Sequence, residues 1–77
     1  MHEMTSTVAR VLRHHVNTAP FGSRTTSVLG VPILIEKQPH LSTINVNGQG
    51  PRLTGVCWWD IVDTIVRVAK RDPNRPE

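Results

Sequence analysis

Residues 53–72 read Leu-Thr-Gly-Val-Cys-Trp-Trp-Asp-Ile-Val-Asp-Thr-Ile-Val-Arg-Val-Ala-Lys-Arg-Asp, and the reading of this stretch decides the fold. Wound on a helix at roughly 100° per residue, Cys57 to Arg71 divides into two faces with little mixing. Asp60, Asp63, Thr64, Arg67, Lys70 and Arg71 take one side. Cys57, Trp58, Ile61, Val62, Ile65, Val66, Val68 and Ala69 take the other, with Trp59 at the border beside Val66. The apolar arc covers about half the circumference, more than the stripe of a little over ~100° that a single core contact needs. The helix, expected over 54–71, should therefore touch two partners: a sheet, and either the first helix or a second copy of the chain.

Its ends carry matching signals. Thr54 is placed to act as N-cap, and Asp60 and Asp63 precede Arg67, Lys70 and Arg71, the order the helix dipole favours. Asp63 and Arg67 form an i,i+4 pair in the better orientation. Pro73 ends the pattern, leaving 73–77 as a frayed tail. Val62, Ile65, Val66 and Val68 are weak intrinsic helix formers, so packing must hold this helix.

Working outward, Thr5 to Asn17 forms a second amphipathic pattern. Val8, Val11, Leu12 and Val16 recur at i, i+3, i+4 and i+8, while Arg10, Arg13, His14 and Asn17 share the opposite face and His15 falls inside the apolar arc. Pro20 forbids continuation, and Phe21, the only phenylalanine, is expected to plug the end of the core.

Between the helices the period changes to two. Val28, Leu29, Val31, Ile33, Leu34 and Ile35 form a β-rich run interrupted by Gly30 and Pro32. Either Gly30-Val31 turns between strands at 24–29 and 32–37, or one long strand carries a bulge at Gly30 with Pro32 on a free edge. Pro32 lacks the N–H that a turn at Gly30-Val31 would use, which favours a hairpin with a slightly longer loop. Leu41 to Asn47 alternates as a third strand, Ser42, Ile44 and Val46 facing one way and Thr43, Asn45 and Asn47 the other. Asn47-Gly48 could close a further hairpin to a short fourth strand around Arg52-Leu53. The simplest architecture is α+β: a helix, a three-stranded antiparallel meander with strands within 24–47, and a helix, both helices on one face of the sheet. One domain over 1–77 is expected.

The chain has 77 residues, a formal charge of +3 with four histidines, and one cysteine. No internal disulfide can form, no stretch approaches the roughly 20 apolar residues of a membrane span, and the first residues lack a signal-peptide pattern. The expectation is a cytoplasmic protein. Its arginine-rich, valine- and threonine-rich usage is that of a GC-rich genome, such as an actinobacterium or one of its phages.

Candidate chemistry is sparse. His14 and His15 are adjacent, so on a helix their rings diverge and cannot share an ion; no metal or other cofactor is expected. Cys57 lies near a helix start but beside Trp58, where a small buried thiol is the ordinary case. Gly48-Gln49-Gly50 is followed by proline rather than by helix-start amides, so it is no phosphate cradle. No catalytic residues are assigned, and enzyme activity is not expected.

Two binding readings remain. Neighbouring tryptophans on a helix cannot both enter one small core, so Trp58, Trp59, Val62 and Val66 are assigned as a protein interface. The chain is then a small non-enzymatic regulator of another protein, for instance a phage or mobile-element accessory factor acting on a host protein. It would also form a homodimer through its last helix. The alternative is nucleic-acid binding through Arg10, Arg13, His14, Arg24 and Arg52. Helix–three strands–helix is similar in element order to the double-stranded-RNA-binding domain. That module places lysines where this chain has Gly55, Val56, Cys57 and two tryptophans.

Overall fold

The structure, a computed structural model, describes residues 2–71, with side chains from residue 4 onward. Pro73 and the tail expected over 73–77 lie outside the described residues. The order is α1 (His2–Thr18), β1 (Gly22–Val28), β2 (Val31–Lys37), β3 (Ser42–Val46), β4 (Gln49–Leu53) and α2 (Thr54–Arg71). The strands form one antiparallel sheet in the order β1-β2-β3-β4. The expected three-stranded meander is thus corrected to four strands.

The fourth strand hid behind an irregularity. Asn47 and Gly48 both have positive φ, +52° and +82°, the backbone of a tight two-residue hairpin turn. Val46 then pairs with Gln49, yet Ile44 pairs with Arg52, so Asn45 alone faces Gly50 and Pro51. That extra residue is a β-bulge. Gly50 lies at φ +129°, and a Cβ there would come within 3.1 Å of the Ile44 carbonyl oxygen, which only glycine avoids. The Gly50–Pro51 peptide is cis. Bulge and proline together erase the alternation by which a strand is recognised.

The first hairpin also differs. Its turn is Leu29-Gly30, φ +52° and +77°, one residue earlier than Gly30-Val31 and no longer than two residues. Val28 and Val31 close it as a hydrogen-bonded pair, so Val31 supplies the donor. The next pair, Ser27 with Pro32, needs no N–H from Pro32 on the β1 side. The Pro32 carbonyl faces the other way and accepts the Asn47 amide at 2.8 Å. A leucine in left-handed backbone costs about 1–2 kcal/mol, a penalty that reading for local preference steers away from.

Val28, Val31, Ile33, Ile35, Ile44 and Val46 point to one face of the sheet, where they form a single cluster with Val8, Leu12 and Val16 of α1 and with Trp58, Ile61, Val62, Ile65, Val66 and Val68 of α2. Both helices therefore cover the same face. The wide apolar arc of α2 is filled by the sheet on one flank and α1 on the other. Phe21 is exposed rather than a plug, and Val11 is partly exposed on α1.

Long-range side-chain contacts tie these layers together. Val16, in the last turn of α1, has its carbonyl orphaned, because the residue four positions on is Pro20, which has no N–H. Lys37 at the end of β2 replaces that donor: its Nζ donates to the Val16 oxygen at 2.9 Å and to the Ala19 oxygen at 3.1 Å. At the far edge, Arg52 of β4 reaches α2. Its Nε pairs with Asp60 at 3.3 Å and its Nη1 donates to Thr64 Oγ1 at 3.1 Å, while that hydroxyl donates to the Asp60 carbonyl. Thr64, placed by the helical pattern on the polar side, is buried beneath this arginine.

Candidate functional site

The antiparallel course gathers six chain segments at one end of the molecule: the C-terminus of α1, the start of β1, the β2–β3 loop, the start of β3, the end of β4 and the first turns of α2. Seven large hydrophobic residues are exposed among the described residues, and five of them, Phe21, Leu41, Leu53, Val56 and Trp59, belong to this end. Between the β2–β3 loop and the β4–α2 junction lies an open groove of about 520 Å³, with Pro39, Leu41, Leu53 and Val56 as its apolar walls and Lys37 and His40 on its border. None of its lining residues carries a carboxylate.

The start of α2 shapes this groove. Cys57 has φ −109° and ψ 23°, outside helical values, so Thr54 to Val56 form a turn set apart from the regular helix that follows. Thr54 does not act simply as a cap: its hydroxyl is hydrogen-bonded to Ser42 Oγ at 2.8 Å, fastening that turn to β3. Val56 is left 82% exposed.

The two tryptophans part company immediately after. Trp58 is 8% exposed and enters the core, with the Arg13 guanidinium stacked 4.0 Å over its ring. Trp59 is 64% exposed and follows Val56 across the non-helical Cys57. Val62 and Val66, assigned to an interface with them, are buried against the rest of the chain. What a partner can reach is therefore Trp59 with Val56, Leu53 and Leu41. The last three were not singled out in the sequence; only the strand register, which a single sequence does not display, brings them together.

The basic residues fall on three elements. Arg10, Arg13 and His14 are exposed on α1, and Arg24 is exposed on β1. Arg13 is engaged by Trp58 and Arg52 by Asp60 and Thr64. Arg24 and Arg52 stand on opposite edge strands, about 14 Å apart at the ~4.8 Å strand spacing. Arg67 pairs with Asp63 at 3.0 Å as the i,i+4 spacing predicts. The rings of His14 and His15 lie 6.2 Å apart and tilted by 58°. Cys57 is a free, half-buried thiol.

No protein-family model matches the chain, and no curated protein or solved structure matches it. No helix among the described residues is long and apolar enough to cross a membrane.

Proposed function

We propose that this is a non-enzymatic protein-binding module whose apolar end docks a short apolar segment, bearing carboxylates, of another protein. The observation that carries the reading is the apolar groove walled by Leu41, Leu53 and Val56, with a largely exposed indole, Trp59, three residues beyond Val56 in the chain. Large apolar side chains left in water at one place are the mark of a contact surface, and a rigid indole is the commonest anchor of one. The groove has no lining carboxylate and reaches the amides at the start of α2, which favours an acidic rather than a basic flank on the partner; the Lys37 ammonium at its border is already held by the Val16 and Ala19 carbonyls. The basic face of α1 is a weaker basis for function. Two of the five residues it would recruit are already engaged, and of the rest only Arg10 and His14 share a helix face, with Arg24 on a separate element.

A display library of short peptides tests this chemistry. Selected sequences should combine apolar residues with Asp or Glu. Trp59→Ala with Val56→Ser should weaken their binding by about 30-fold or more, the loss of a tryptophan anchor worth ~2 kcal/mol. Selection of basic sequences, or binding unchanged in the double variant, overturns the reading.

A further inference from the structure

The two edges of the sheet are not alike. β4 is blunted by the bulge at Gly50-Pro51, by a proline without an N–H, and by Arg52 drawn onto α2. These are the devices by which edge strands avoid pairing with another chain. β1 has neither bulge nor proline: it runs seven residues, Gly22–Val28, in regular register with β2, and its one charged residue, Arg24, alternates with Thr26 and Val28 on the helix-covered side. Because Val28 and Val31 form the hydrogen-bonded closing pair, the alternation of an antiparallel ladder turns the N–H and C=O groups of Ser23, Thr25 and Ser27 outward, away from β2. All three residues are exposed.

We infer that β1 is a dimer seam, pairing antiparallel with β1 of a second copy about a two-fold axis at Thr25. In that register Thr25 faces Thr25 of the other copy, and Ser23 faces Ser27 twice over. The three outward residues of each chain then exchange about six backbone hydrogen bonds, and the two four-stranded sheets become one. A second copy suits this edge better than an unrelated strand for three reasons. About a two-fold axis at Thr25 the facing outward residues are all small and uncharged, Thr25 with Thr25 and Ser23 with Ser27, so an isologous contact meets no clash or like-charge pair among them. The only charge on the strand, Arg24, lies off the axis and faces the small Thr26 of the other copy rather than a second arginine. With one open edge instead of two, pairing closes at a dimer and does not propagate. The helix above adds apolar surface. Arg13 marks the flank of α1 that faces α2, and Val11, about half a turn round the helix from it, is partly exposed. This seam uses none of Leu41, Leu53, Val56 and Trp59.

Sedimentation equilibrium over micromolar to millimolar protein, combined with residue-resolved amide exchange, tests the seam. The expected result is a mass of two chains, with the amides of Ser23, Thr25 and Ser27 gaining protection as concentration rises. Thr25→Pro removes an N–H that β2 does not use, so the fold should survive on an edge strand while dimerisation weakens by at least about 30-fold. Thr25→Lys, which sets two like charges opposite one another at the axis, should do the same if the proline variant does not fold. A strict monomer at millimolar concentration overturns the inference. So does a dimer in which those three amides exchange freely, or one that persists in the folded variants.

Discussion

Replacing Lys37 by methionine should destabilise the fold by about 2 kcal/mol, and the reason lies at the C-terminal end of α1. Methionine keeps the aliphatic stem but removes the ammonium that donates to the Val16 and Ala19 carbonyls. A hydrogen bond to a charged donor contributes about 1.5–3 kcal/mol net, and a cation at a helix C-terminus about 0.3–1 kcal/mol. Both bonds come from one ammonium at an end of the molecule where water can partly replace it, so the combined loss is nearer one full bond than two. The Val16 oxygen is the more costly of the pair. Pro20 denies it the usual backbone donor, and Val16 itself is buried. In a domain of this size ~1 kcal/mol moves the melting temperature by about 4–8 °C, so the variant should melt about 8–16 °C lower. Thermal and urea melts at one fixed protein concentration read this directly, with Lys70→Met, exposed on α2, as a control expected within about 0.5 kcal/mol of wild type. A Lys37→Met protein melting within about 2 °C of wild type would refute the argument that Lys37 completes α1.

Other substitutions separate parts of the account. Trp58→Ala should cost about 3–5 kcal/mol and Trp59→Ala less than about 0.5 kcal/mol, so urea midpoints that fall equally would contradict the division of the two indoles between core and surface. Arg52→Ala removes the bonds from β4 to Asp60 and Thr64 and strips the cover from a buried hydroxyl. A loss of about 1–3 kcal/mol in a chemical denaturation series is expected. Gly50→Ala meets the Ile44 carbonyl in a backbone region L residues rarely adopt and should destabilise by about 2 kcal/mol or more. Gly55→Ala enters open space at the start of α2 and should be neutral or stabilising by up to about 1 kcal/mol. Comparing the two melts gives the sign of each.

Local periodicity made some of this legible and could not reach the rest. The inward faces of both helices follow from 3.6-residue spacing, because Val8, Leu12, Val16, Ile61, Ile65 and Val68 are apolar at positions only a core uses. β4 was legible as the Asn47-Gly48 turn and a possible short strand around Arg52-Leu53, but the bulge and Pro51 disrupt the alternation that would have secured it as part of the sheet. Thr64 and Arg52 looked like a solvated threonine and a free cation. Their contact joins residues whose proximity depends on β4 being present at all. The same dependence hides the apolar end. Leu41, Leu53 and Val56 are unremarkable singly and become a surface only when the register places the β2–β3 loop beside the β4–α2 junction.

The docking surface is most directly tested by placing a photo-crosslinking side chain at Val56 and, separately, at Arg67 on the charged face of α2, in the native host. The account predicts adducts with another protein from position 56, diminished when Trp59 is also replaced by alanine, and none of these from position 67. Adducts at both positions alike, or from position 56 only with a second copy of the chain, would contradict it.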